Sequence, residues 1–284
     1  MLGCGGVWGC SFFFIVEALD AFQPMLITFL RVLFGFLTLL AFPKSRRPIE
    51  RADWGRIALL AVVWMSVPTS MFPIAERHVS SSVAGMLNCG VPIFAAVVAT
   101  VLLRRLPGRR QRIGIAIGTV GIVMVGIPSF GNGSSEASGV LLILFALACY
   151  GLAINLVVPL QQKYGSLPVL CRVAGVAALL LSPFGVASIP SSHFAWHSFL
   201  ATLALGVAGS AIAFVSAAAL AGRVGSTRAS TNTYLIPIVS LVLGVLVRDE
   251  HVDALAIAGC GMMLIGAFVA SRAEAPRPEP AGVR

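Results

Sequence analysis

The chain alternates between long uncharged apolar runs and short clusters of polar, charged and turn-forming residues. Ten apolar runs stand out, at 2–18, 25–42, 57–74, 80–103, 113–128, 139–157, 168–187, 198–219, 225–247 and 254–271. They approach the roughly 20 residues that a helix needs to cross about 30 Å of hydrocarbon. Barrel strands are shorter and alternate apolar with polar positions, which these runs do not. The pattern predicts an all-α membrane protein with ten transmembrane helices. Pro43–Arg56, Arg104–Arg112, Pro128–Ser138, Ser188–His197 and Arg248–Asp253 carry the breakers and charges expected of connections. The Pro-rich stretch 272–284 reads as a disordered tail.

Composition identifies the solvent. Hydrophobic residues make up 58% of the chain and charged residues only 11%, against about 25% charged in average globular proteins. A net charge of +9 would suggest nucleic acid as a partner for a soluble chain, but here the placement of the charge points to a lipid bilayer. With the amino terminus inside, 16 of the 20 Lys and Arg fall on the inner side: Lys44, Arg46, Arg47, Arg51, Arg56, Arg104, Arg105, Arg109, Arg110, Arg112, Lys163, Arg223, Arg228, Arg272, Arg277 and Arg284. Only Arg77 and Arg248 fall in outer loops. This bias puts both termini in the cytoplasm and the chain in the cell (inner) membrane. No basic leader and no clear cleavage site mark a removable signal peptide. The six cysteines all sit in apolar runs without a CxxC pair, as small packing residues, so no metal or cofactor is expected.

Two stretches answer each other. Val79–Ile93 reads VSSSVAGMLNCGVPI and Val224–Ile238 reads VGSTRASTNTYLIPI. Both open with Val and small hydroxyl residues, then place an Asn before a Pro: Asn88 and Pro92, Asn232 and Pro237. With the prolines superposed, the offset is 145 residues, about half the chain. The duplication predicts two five-helix repeats, 1–128 and 139–271. Five is odd, so the second repeat enters the membrane from the opposite side and the two are inverted.

Trp8-Gly9-Cys10-Ser11, the run from Pro24 through Leu30-Arg31, and the paired fourth and ninth spans together resemble the EamA family of the drug/metabolite transporter superfamily. The resemblance covers nearly the whole chain. It is strongest in the second unit, with Asn232, Pro237, Asp249-Glu250 and Ala258-Gly259-Cys260-Gly261. The first unit departs from it, since Arg105 aligns with Glu250. The resemblance implies a ten-helix secondary carrier of small polar metabolites or drugs, often an exporter, working by alternating access. It leaves the cargo open.

Candidate site residues follow from polar groups placed in apolar surroundings. Arg31 lies within the second span, where an Arg costs about 2.5–3.5 kcal/mol on insertion scales. It either anchors an anionic or zwitterionic substrate, or reaches the outer interface or pairs with Glu17 or Asp20. Arg172, nearer its inner boundary, reads as snorkelling. Asn88 and Asn232, each followed by a proline (Pro92, Pro237), mark broken helices lining a wet cavity, or structural kinks with interhelical bonds. Trp8, Tyr150 and Tyr234 read as substrate-stacking or gating aromatics, or as packing residues. Pro68 and Pro73 bend the third span, as a hinge or as a static kink. Gly114, Gly118 and Gly121, and Gly259, Gly261 and Gly266, imply close helix contact within the fold or between protomers, so monomer and homodimer both stay open. Glu17 is the one plausible carboxylate near the membrane interior, so proton coupling either runs through it or is absent, leaving facilitated diffusion or exchange.

No P-loop and no HExxH motif occurs, and no clustered catalytic set occupies the spans, so an enzyme is not expected. A non-transporting scaffold or sensor, or an enzyme on a lipid-linked substrate, are the alternatives to a small-molecule carrier.

Overall fold

The computed structural model describes residues 2–103, 107–131, 133–216 and 234–271. Among these residues the chain folds into ten helical passes and no strand: α1 (Leu2–Leu19), α2 (Pro24–Leu40), α3 (Arg51–Ala75), α4 in two pieces (α4a, Ser81–Asn88, and α4b, Val91–Leu103), α5 (Arg109–Gly131), α6 (Ser134–Tyr164), α7 (Ser166–Ala187), α8 (Trp196–Ser216), α9 (Leu235–Arg248) and α10 (Ala254–Ser271). Seven of the passes are long and apolar enough to cross a membrane, and α1, α2 and α9 are shorter apolar helices. Helices suit lipid because they pair their own backbone amides and carbonyls. Asn232 and the stretch 272–284 lie outside the described residues.

The expected connections at Arg104–Arg112 and Pro128–Ser138 are shorter than the apolar runs suggest. Helix α5 already begins at Arg109 and runs through Pro128 to Gly131, and α6 starts at Ser134. The 31 residues of α6 span about 46 Å at the helical rise. Apolar runs mark the depth of hydrocarbon, whereas backbone hydrogen bonding continues past it until a cap intervenes. Glu136 in the first turn of α6 also complements the helix dipole.

Helix pairing repeats under the 145-residue shift. Helices α2 and α7, α4 and α9, and α5 and α10 pack against each other as corresponding partners, while α3 packs on α6 as α8 packs on α1. Both α3 and α8 contain a π-helical stretch, at Ala61–Ser66 and Leu205–Ile212. Shifted by 145, the first falls inside the second. Pro68 follows the first stretch, but Ala213 occupies the corresponding place after the second. The widened turn is therefore a property of the repeated fold, and the proline alone does not cause it.

The glycines of α5 and α10 bring the two backbones together inside the fold. A Cβ on Gly266 would stand 2.5 Å from the Gly118 amide nitrogen and 2.6 Å from the Gly114 carbonyl oxygen. A Cβ on Gly121 would stand 2.6 Å from the Gly259 carbonyl. These contacts answer the small-residue pattern without a second protomer.

Polar contacts between the two halves lie at both ends of the bundle. At the end holding the α1 carboxyl terminus (the Glu17 end), Arg248 donates to Glu17 at 2.8 Å and to Asp20 at 3.4 Å, and Ser198 Oγ donates to the Glu17 carbonyl at 2.8 Å. The backbone amides of Ser81 and Ser82 both donate to Glu250 at 2.9 Å, and their hydroxyls donate at 2.7 and 2.5 Å. Asp249 takes a left-handed φ of 52° at the end of α9, and the Glu250 amide donates back to the Gly244 carbonyl at 3.0 Å. This helix stop turns the Glu250 carboxylate onto the exposed amides that begin α4a. At the opposite (Lys163) end, Lys163 donates to Glu50 at 2.7 Å and Asp53 at 2.9 Å. Tyr164 donates to Asp53 at 2.7 Å, and Arg172 donates to the Arg46 carbonyl at 3.2 Å.

Two outcomes test this packing by thermal unfolding in detergent. Gly266→Ala should destabilise by about 1–3 kcal/mol, whereas Gly261→Ala, with open space around its Cβ, should leave stability unchanged. Glu250→Gln should cost about 1–3 kcal/mol, the worth of charge-assisted hydrogen bonds to buried donors.

Candidate functional site

Helix α4 breaks at Cys89–Gly90 because its second piece starts with a proline that has no amide to give. Pro92 sits four residues after Asn88, so the Asn88 carbonyl loses its ordinary helical donor. The proline itself is well placed in the first turn of α4b. The chain turns through Cys89 and Gly90, whose amides donate to the Met86 and Leu87 carbonyls at 3.1 and 2.8 Å. Leu147 and Ile122 close around Gly90 and leave little room for a side chain there. In the second half, Pro237 lies buried in the first turn of α9, directly after Tyr234.

The break opens onto a cavity of about 260 Å³. Its position follows from helix geometry. Residue 31 stands mid-helix in α2, residues 8–15 in α1, and the α3 and α8 contributions come from their π stretches or the helix that follows. Trp64 and Met65 come from the first stretch, Ser210 from the second, and Phe214 from the turn beyond it. π turns are frequent at functional sites because they displace a carbonyl from its usual partner. Here the Trp8 indole donates to the Gly209 carbonyl at 3.0 Å.

Two aromatic layers bound the space. Trp8 and Trp64 both meet the edge of Phe214, with ring centres 5.2 and 5.8 Å apart. Further toward the Glu17 end, Phe12 meets Phe72 at 5.6 Å and Phe72 stacks on Tyr150 at 6.2 Å. Arg31 and Asn88 lie among these walls. Arg31 Nε donates to Ser210 Oγ at 3.1 Å. Its two terminal nitrogens have no acceptor among the described residues, and no described carboxylate lies within 4 Å of it. A guanidinium whose outer fork is free is suited to take a carboxylate through two parallel hydrogen bonds. The Asn88 amide likewise makes no hydrogen bond to a described residue.

Four of the residues singled out from sequence, Trp8, Arg31, Asn88 and Tyr150, line this one cavity. Tyr234 does not line it, and Pro68, Pro92 and Pro237 shape the helices around it. Glu17 is ion-paired to Arg248 at the end of the bundle, so neither it nor Asp20 is the partner of Arg31. Ser210, Thr69 and Phe72 were missed because nothing in an apolar run distinguishes the face that looks inward. Glu76 was missed because the apolar run ends at residue 74, yet its amide donates to the Phe72 carbonyl at 2.8 Å and continues the turn. It is 7% exposed.

Comparison with known proteins gives a consistent result. The EamA-like transporter family matches residues 1–127 and again 137–272. The uncharacterized inner membrane transporter YedA of Escherichia coli is 30% identical over 84% of this chain and 78% of its own length. A probable terminal-alkyne amino-acid exporter of Streptantibioticus cattleyicolor is 25% identical over 93% of this chain and 90% of its own length. One crystal structure shares the fold with a TM-score of 0.66 at 17% identity, covering 95% of this chain and 94% of its own. With two successive matches spanning almost all of its length, the chain belongs to the EamA-like transporter family.

Proposed function

We propose that this protein is a secondary carrier that moves a small organic anion or zwitterion with an apolar body, in the outward direction, by alternating access. The observation that carries the reading is Arg31: a guanidinium anchored through Nε to Ser210, its outer fork without an acceptor among the described residues, in a cavity walled by Trp8, Phe12, Trp64, Phe72, Tyr150 and Phe214. The fork suits a carboxylate and the rings suit an apolar side chain. A cavity of about 260 Å³ matches an amino-acid-sized ligand, just below the roughly 300–1,000 Å³ of drug-sized sites. The relative named as an amino-acid exporter supports the same chemistry.

The two five-helix units, 1–128 and 139–271, act as inverted halves that rock about the cavity. The Lys and Arg bias supports a cytoplasmic Lys163 end, an outer Glu17 end and both termini inside. Rocking alternately parts the contacts of Arg248 and Glu250 at one end and of Lys163 and Arg172 at the other. The Arg248, Lys163–Glu50 and Arg172 contacts are exposed or half-buried and exchange for water at little cost, whereas parting Glu250 from the buried Ser81 and Ser82 costs more.

Reconstituted protein in liposomes, assayed with radiolabelled L-phenylalanine and with phenethylamine as the carboxylate-free analogue, tests the proposal. L-Phenylalanine should be transported and phenethylamine should not. Arg31→Ala should reduce the rate at low substrate by about ten- to a hundredfold, the worth of roughly 1.5–3 kcal/mol of charged hydrogen bonding. Arg31→Ala transport equal to wild type overturns the anchor.

A further inference from the structure

Glu76 uses its side chain in none of the contacts above. It stands one residue past α3, one turn beyond Phe72, on the side of that ring toward the Glu17 end. Its side chain is buried, and neither carboxylate oxygen has a hydrogen-bond partner among the described residues. The other described acids in this region are engaged: Glu17 and Asp20 by Arg248, and Glu250 by Ser81 and Ser82. An ionised carboxylate enclosed without a partner costs several kcal/mol. A neutral acid in the same place costs far less.

The charges around it are few. Glu250, beyond α9, and Arg31, on α2, are the groups whose charges act on Glu76. From α6, Tyr150 stacks on Phe72 below it. On its own segment, Arg77 is exposed and donates to the Gln23 side chain, while His78 is exposed. Glu250 is held in place by four hydrogen bonds to Ser81 and Ser82, so its negative charge stays near Glu76. Arg31 is the positive charge favouring ionised Glu76, and it is also the group that faces the cavity.

We propose that Glu76 is a proton-binding site, protonated while the Glu17 end is closed and releasing its proton to water when that end opens. The bond that breaks is the carboxyl O–H, the proton passes to water at the Glu17 end, and the carboxylate left behind is stabilised by hydration and by Arg31. A carboxylate substrate on Arg31 cancels that support, so substrate binding favours the protonated acid. Intramembrane and gate-lying acids are the usual carriers of coupled protons. The protonation itself stands on the burial of Glu76, whereas its coupling to transport rests on the carrier reading.

The test uses infrared spectroscopy on purified full-length protein in lipid nanodiscs, beside L-phenylalanine transport in liposomes. At neutral pH the carbonyl stretch of a protonated carboxyl should be present in wild type, absent in Glu76→Gln and retained in Glu76→Asp. Wild-type stability should fall as pH rises above the ordinary carboxylate range, because the folded state holds a proton that the unfolded state gives up. Glu76→Gln should lose that slope, and it should also lose the pH dependence of transport. A wild-type spectrum without the band, or unchanged in Glu76→Gln, overturns the proton site. Transport with the same pH dependence in Glu76→Gln overturns the coupling and leaves the carrier standing. A lost band with no transport of L-phenylalanine by wild type supports the proton site and overturns the coupled carrier for that substrate.

Discussion

A backbone amide or carbonyl released from its helix inside a bilayer has no water to turn to, and each such group costs several kcal/mol unless protein or a wet cavity takes it up. In this protein the irregular backbone gathers around one cavity. Residues flanking the α4 break, in the π stretches of α3 and α8, and in the first turn of α9 all line it. Trp8 takes up one carbonyl, and the cavity beside Arg31 accommodates the others' surroundings. The site is therefore where the irregular backbone is, because only a cavity or a neighbouring polar group tolerates it there.

The backbone repeats more faithfully than the side chains. The π stretches correspond across the two halves, as do the helix pairs α2 with α7, α4 with α9, and α5 with α10. The chemistry does not repeat. Arg31 corresponds to Val176, Trp8 to Ala153, and Pro68 to Ala213. In the proposed carrier, a symmetric frame would let both ends part by equivalent motions, while Arg31, without a counterpart in the other half, would give a bound molecule one orientation. Glu250 continues the asymmetry: it caps α4a at one end, whereas Arg105 holds the corresponding place in the sequence.

Much of the fold was legible because lipid imposes a simple rule on sequence. Nine of the ten apolar runs became a helix over most of their length, and α9 did so over its described part from Leu235. The boundaries moved where helices ran on through polar residues, as at Ser134–Glu136 and Arg109–Arg112, since water beyond the hydrocarbon permits a helix as readily as a loop. Trp8, Arg31, Asn88 and Tyr150 were legible because each is polar or amphipathic within an apolar run. Glu76 was not, since a carboxylate just past an apolar run looks like any loop acid.

The sequence by itself determined that this chain lives in lipid, that it is a duplicated set of ten helices, and that a few polar residues interrupt the apolar spans. Hydrophobicity, charge placement and proline are local properties, and they act wherever the chain goes. Only the tertiary structure decided that Arg31 is held by Ser210 rather than by Glu17, that the glycines of α5 meet those of α10, and that Glu76 is enclosed without a partner among the described residues. Those outcomes depend on which helix faces join across more than a hundred residues of chain, and burial and pairing are fixed only when they do.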